Sequence, residues 1–559
     1  MRRWLCVSAV MALLVGSSFI ALVSLAGAKS SVGAREKAQG AHTITVTPWG
    51  PDQATIDDAK SRLLKNPALQ RYLAGKGSRM LSFDFLESGV KEAKPEPPSR
   101  YRATFFNYTS NRAIVATGRF TDSAPEVSVS TEQPLPSPEE FEAAVSILSK
   151  DPTLGPAILD GSLQPYPPMP PLVDINLPAG RSERTLTVGL LPREGKGSNE
   201  VVGVNMIRAS VTRYEGRAPK TSNAVELNCG VPSAGQTTTS AGTAGQFQVV
   251  ISRGPDEIWS FLCIRPSASS GNNRSGIELR DVKFRGKLVL SRANAPVLNV
   301  QYYQNACGPF RDWSWQEGMF VANGTDVPGT NGGIRLCTDE PQTVLDNGTD
   351  TGNFRGVAIY DREEVTLVSE LNAGWYRYIS KWIFHDEGII SPRFGYGATT
   401  NSCVCRGHVH HVYWRFDFDL ATAADNSVAE MNQGFLKIVD TESMRSRLSA
   451  DQFWVVSNSV SGEAVVIKPG PLDGNYDKYG QGDLWLLRSH FPIEIDDSGQ
   501  PAGTCSTCAH LNPMLNAESI QNQDVVVWYG AHWAHDHFDA PQHNDGPNVH
   551  GPDLILQKY

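Results

Sequence analysis

Beyond its first 28 residues the chain has no apolar stretch of the ~20 residues that a membrane-spanning helix needs. The remainder, from residue 29 on, is therefore expected to be exported and soluble. A basic excess is missing too: 50 Lys and Arg stand against 59 Asp and Glu, a formal charge of −9. That balance excludes nucleic acid as an expected partner, whereas a cationic amine would be drawn in rather than repelled. Helical periodicity all but disappears after about Val225, where short apolar runs are divided by Gly, Asn, Asp and Pro. This pattern reads as a large antiparallel β-sandwich over 225–559. Cysteine is sparse. Setting Cys6 aside with the leader leaves Cys229, Cys263, Cys307, Cys337, Cys403, Cys405, Cys505 and Cys508. An even set in an exported chain points to disulfides, although Cys403 and Cys405 with Cys505 and Cys508 could instead form a four-thiolate zinc site.

What is present begins with Arg2 and Arg3, an apolar run from Trp4 to Leu25, and then Ala26-Gly27-Ala28. Residues 1–28 have the layout of a secretory signal with an A-x-A cleavage site. The product is expected to be secreted or periplasmic, and held at a membrane only if the leader stays uncleaved. Four N-x-S/T sequons, at Asn107, Asn273, Asn323 and Asn347, would carry sugar only in a eukaryotic secretory pathway. At 559 residues the chain is long enough for several domains. Thr55 to Leu73 reads as one amphipathic helix capped by Thr55, followed by strands at Arg100–Phe106, Ala113–Phe120 and Glu126–Ser130. A second cycle opens at Ser137-Pro138-Glu139-Glu140, a capping box with proline at the first helical position. It continues with strands at Thr185–Leu191 and Val201–Tyr214. The expected architecture is α+β followed by mainly β: small α+β domains at 45–132 and 133–224, then the sandwich.

Chemistry concentrates in Gly407 to Leu420, G-H-V-H-H-V-Y-W-R-F-D-F-D-L. Its Val, Tyr, Trp and Phe content fits a strand, and alternation puts His408, His410, Val412, Trp414, Phe416 and Phe418 on one face. Two imidazoles at i and i+2 on a strand can bind one metal ion through neutral ring nitrogens, a ligand type suited to copper, zinc, nickel or iron. Asp417 and Asp419 occupy the other face, where paired carboxylates suit a harder cation such as calcium. A third histidine ligand is available from Asp524 to Asp539, D-V-V-V-W-Y-G-A-H-W-A-H-D-H-F-D, which opens as a Val-rich strand and ends in a histidine cluster. On these residues alone the chain reads as a secreted histidine-ligated metalloprotein.

These segments resemble the copper-dependent, topaquinone-containing amine oxidases. That family's strand H-x-H-x-x-x-x-R-L-D matches His408, His410, Arg415 and Asp417, with Phe416 in place of Leu. Counting seven residues from Trp528 makes His535 the implied third copper ligand, with His532, His537, His543 and His550 in reserve. Asp417, Asp419 and Asp524 match the family's secondary cation site. Leu367 to Gly388 is similar to the segment in which a tyrosine becomes topaquinone, which implies Tyr376 as precursor and Tyr378 as the second tyrosine of the motif. The family writes N-Y-D/E-Y there, whereas this chain has Trp375 and Arg377 beside Tyr376. On a strand both would point away from the face that Tyr376 and Tyr378 share.

The resemblance implies oxidation of a primary amine by O2 and water to aldehyde, ammonia and hydrogen peroxide, with copper and topaquinone as cofactors and a homodimer as the assembly. A carboxylate must then take the proton from the carbon next to nitrogen. Alignment of Val297 to Met319 makes Asp312 that base, Glu317 its substitute, Phe310 an aromatic gate, and Tyr302 the hydrogen-bond partner of the quinone oxygen. The alternative is a metal-binding relative that has lost the quinone.

Overall fold

The computed structural model describes residues 42–75, 77–86, 91, 95–122, 124–168, 172, 183–192, 200–213, 229–232, 245–271, 274–303, 309–312, 316–330, 332–471, 473, 483–490, 511–535 and 549–559. The leader, Cys307, Cys505, Cys508, His537 and His543 lie outside these residues.

Two large sheets dominate. The ten-stranded one runs Thr43–Pro48, Gln246–Arg253, Asp256–Ile264, Glu278–Phe284, Lys287–Tyr302, His408–Phe418, Val525–His535, Leu484–Arg488 and Ser443–Arg445, with Pro309–Asp312 paired to Lys287–Tyr302. The twelve-stranded one has Val365–Ala373, Tyr376–His385 and Ile389–Ala398 as consecutive neighbours near its middle. Both are antiparallel apart from one parallel pair, Ile334–Cys337 with Val357–Asp361. Their facing side chains form one continuous buried core that takes in Phe261, Trp259, Phe384 and Trp382 together with Trp414, Phe416 and Phe418. The strands that cross it are buried end to end: every residue of His408–Phe418 and of Val365–Ala373 is inaccessible. A strand covered on both faces keeps its alternation but loses the polar side that would reveal it.

Two small α+β units precede the sandwich, each with four strands and its own apolar cluster. The expected single helix over 55–73 is two helices, Gln53–Lys65 and Pro67–Leu73. Pro67 lacks the N–H that a continuous helix would use and sits instead at the first turn of the second. The caps are Asp52, which accepts from Thr55 N–H, and Asn66, which accepts from Ala68 N–H; Thr55 is not a cap. A further strand, Ser78–Leu86, was absent from the expected set. In the second unit Ser137 caps the helix Pro138–Leu148 as expected. Glu140, however, turns from its capping-box role to meet the fully buried Arg184 guanidinium at 2.5 and 2.6 Å. The single strand expected at 201–214 is a hairpin, Glu200–Asn205 and Ser210–Arg213. Of the four sequons, Asn107 is buried with its amide donating to the Tyr72 carbonyl, which leaves no room for a sugar.

Candidate active site

His408–Phe418 lies between Lys287–Tyr302 and Val525–His535 in the first sheet, and Tyr376–His385 faces it from the second. The alternation read from the sequence holds. His408 and His410 point into the inter-sheet core with ring centroids 4.8 Å apart, each 1% exposed. Register sets His535 directly across from His408 on the neighbouring strand. Its side chain lies outside the described residues.

Tyr376 and Tyr378 reach the same place from the opposite sheet. Tyr376 Oη is 3.0 Å from His408 Nε2, and Tyr378 Oη is 3.2 Å from His410 Nδ1. Tyr302, at the end of its strand, contacts Tyr376 Oη at 2.9 Å. All three tyrosines named by the resemblance therefore converge on the two histidines.

Proton positions along this row of groups are set by its ends. The His408 pKa is pushed down to about 4 by burial, so the ring is neutral near neutrality and carries one proton. Its Nδ1 lies 2.6 Å from the Arg406 carbonyl, which can only accept, so that proton is on Nδ1 and Nε2 is a bare lone pair. Tyr376 must then donate to His408 Nε2, and Tyr302 must donate to Tyr376. The far end agrees: the Trp375 indole, a donor only, gives its N–H to Tyr302 Oη at 3.0 Å. Donation thus runs in one direction, from Trp375 through Tyr302, Tyr376 and His408 to the Arg406 carbonyl. Burial, reinforced by Tyr302, holds the Tyr376 phenol well above the usual tyrosine pKa, so it keeps its proton.

Trp375 corrects an expectation. It does not point away, because it is not on the strand: Ala373 pairs with Tyr376, leaving Gly374 and Trp375 as a two-residue hairpin loop with Gly374 at φ 58°. Such loops take a positive-φ residue at their first position, and they release the second from strand alternation. Arg377 does point away as expected. Its guanidinium pairs with buried Asp350 at 2.7 and 3.1 Å and donates to the Gly374 and Tyr376 carbonyls, so its charge is neutralised behind the strand and its donors brace the hairpin.

Other aromatic rings, unmarked in the sequence reading, complete the enclosure. Tyr396 stacks on His410 with centroids 3.7 Å apart, and Trp533 flanks both rings at 5.7 and 5.9 Å and stacks on His550 at 3.9 Å. His532 and His550, named as reserve ligands, are both buried. His532 is on the opposite side of its strand, where its Nδ1 meets His411 Nδ1 at 2.9 Å.

The acid candidates fare differently. Asp312 is in the short strand Pro309–Asp312, opposite Leu298 on the strand that ends in Tyr302. Its side chain and that of Phe310 lie outside the described residues. Glu317 is committed elsewhere: its carboxylate takes a two-pronged hydrogen bond from Arg265 and another from Ser267 N–H, fully buried. The implied substitute base is thus held in a buried ion pair with Arg265. Glu317→Gln should strand the Arg265 charge and cost about 3–5 kcal/mol of stability, read as a lowered denaturant midpoint. Loss of turnover with the midpoint unchanged would return Glu317 to the chemistry.

Glu370, on the strand leading into the hairpin, is a different case. Its carboxyl is pushed up to about 8 by burial, against the opposing hydrogen bond from Val344 N–H and the nearby Arg377. From pH 4.5, its ordinary value, to about pH 8 only the unfolded chain gives up this proton, so stability should fall across that window and level off above it. Glu370→Gln should flatten a plot of urea midpoint against pH there; an unaltered slope would assign the effect to other groups.

Asp417, Asp419 and Asp524 converge as expected, with oxygens within 4.8 Å of one another. The point between them is taken by Lys91, whose Nζ is 2.6 Å from Asp417, 2.6 Å from Asp419 and 2.8 Å from Asp524. A cation of the chain itself thus lies where the resemblance implies calcium. The zinc alternative for the cysteines also falls, since Cys405 is joined to Cys229 and Cys403 is likewise disulfide-bonded, while Cys263 and Cys337 are free thiols.

Two buried imidazoles on one strand, one with its lone pair turned to a phenol, form a donor set that fits copper. No family model matches the chain, and no curated protein matches it in sequence. Solved structures do match in fold. A lysyl oxidase from Pichia pastoris superposes with a TM-score of 0.55 at 13% identity, covering 94% of this chain and 91% of that one. A copper-containing benzylamine oxidase from Hansenula polymorpha gives 0.51 at 12% identity, over 93% and 94% of the two chains. An amine oxidase from Aspergillus nidulans gives 0.52 at 14% identity, over 94% and 89%. The chain has the fold of these amine oxidases.

Proposed function

We propose that the protein is an exported, homodimeric copper amine oxidase. It would convert a primary amine, O2 and water to an aldehyde, ammonia and hydrogen peroxide, with topaquinone made from Tyr376 and copper held by His408, His410 and His535. The observation that carries this reading is the Tyr376 phenol resting its proton on His408 Nε2 within a strand-borne His-x-His. The nitrogen offered to the metal is the one the phenol already occupies, so copper would take the place of that proton. The quinone would supply an electrophilic carbonyl for the amine, and copper would assist oxygen. Tyr302 would hold the oxygen of residue 376 by the bond it makes now, and Trp375 would hold Tyr302. Tyr378 would orient His410. Asp312 is the proposed base. Protein loaded with copper in air should acquire a visible quinone band, react with phenylhydrazine and release peroxide with benzylamine or an alkyl amine.

A second reading, a metal-binding relative without the quinone, is favoured by one feature. Tyr376 is only 2% exposed and hydrogen-bonded at its sole polar atom. Bound copper without band, adduct or peroxide would support that reading instead.

A further inference from the structure

Lys91 belongs to the connection between Ser78–Leu86 and Arg100–Asn107 in the first small unit, yet its ammonium sits 326 residues away in sequence from its partner Asp417. It donates to oxygens of Asp417 and Asp419 and to both oxygens of Asp524, four contacts between 2.6 and 2.9 Å. Asp417 and Asp419 are buried, and Arg415 adds a second positive charge through its 3.3 Å contact with Asp417. Three carboxylates this close repel strongly in a low-dielectric setting, and a cation at their centre offsets that repulsion.

We propose that Lys91 is a tethered substitute for a divalent cation. Through it the three-carboxylate site needs no metal, and neutralising the site docks the first small unit onto the sandwich. A divalent ion would tie together only the strands that carry Asp417 and Asp524. Lys91 ties those strands to a third segment of the chain, and Arg274 makes a parallel link by donating to Asp84 of the same small unit at 2.6 Å. Ammonium suits this task because it presents three donors to three carboxylates and, joined to the chain, is not diluted or chelated away. Both anchored strands lead to the candidate ligands: Asp417 is on the strand of His408 and His410, and Asp524 immediately precedes the strand that ends at His535. The latch therefore braces the sheet that holds the site.

The test uses the full chain and calcium chloride as the probe. Wild-type protein should bind no calcium by isothermal titration, and its melting temperature should not respond to millimolar calcium. Lys91→Met should melt at a lower temperature, bind one calcium per chain and recover stability as calcium rises. At a hundredfold excess over Kd the folding equilibrium should shift about a hundredfold. Adding Asp419→Asn to Lys91→Met should weaken that calcium binding at least tenfold. One calcium bound by the wild type with a raised melting temperature would overturn the proposal, as would a Lys91→Met protein that neither loses stability nor gains a calcium site. Should Lys91→Met fail to accumulate folded, reductive methylation of the wild type decides: a Lys91 amine shielded until unfolding upholds the latch, and one modified at the rate of surface lysines overturns it.

Discussion

Tyr376→Phe should abolish peroxide release with primary amines while leaving the protein folded. The phenol oxygen makes two hydrogen bonds, to Tyr302 and to His408. Losing both should cost about 1–3 kcal/mol, below the roughly 5–15 kcal/mol that holds a folded domain together. Activity and fold are thereby separable. In the wild type, apo-protein given copper and oxygen should gain about 30 mass units on the peptide carrying residue 376, two oxygens added and two hydrogens lost, as the chain builds its own cofactor. The variant should gain nothing. An unmodified tyrosine in the wild-type peptide after that treatment would sink the oxidase reading and leave the metal-binding one.

His410→Ala should release copper. Two remaining imidazoles seldom hold copper against a competing chelator, so elemental analysis after chelator treatment should find the metal gone from this variant and from His408→Ala and His535→Ala. His410 differs from the others in also being a core ring, stacked against Tyr396 at 3.7 Å with Trp533 at 5.9 Å. Its truncation should cost about 3 kcal/mol as well, in the range of aromatic-to-alanine cavities. Full copper occupancy in any of these variants would show that its residue is not a ligand.

The small units show how local signals fail at their edges. Helix and cap were readable at Pro138–Leu148, where Ser137, Pro138 and an apolar face agree. At 53–73 the apolar stripe runs straight through Pro67, and the break is legible only by giving the missing N–H more weight than the periodicity. Trp375 failed in the same way. Counting residues along a strand assigns its face correctly only if it is on the strand, and the two-residue loop after Ala373 takes it off. The glycine at 374 is the sequence-level hint, since glycine readily takes the positive φ that the first position of such loops needs, 58° here.

Local alternation alone determined which side chains of Gly407–Leu420 share a face, because a period of two is a property of the extended backbone and survives burial. It thereby determined that His408 and His410 face one way and Asp417 the other. Tertiary structure decided what meets them. The phenol on His408, the indole on Tyr302, Tyr396 against His410 and the Cys229–Cys405 bridge all join segments distant in sequence, the first three across the two sheets. Lys91 is the extreme case: a single lysine with no periodicity around it. Its role exists only because folding carries it to three carboxylates whose removal from water and mutual repulsion a positive charge offsets.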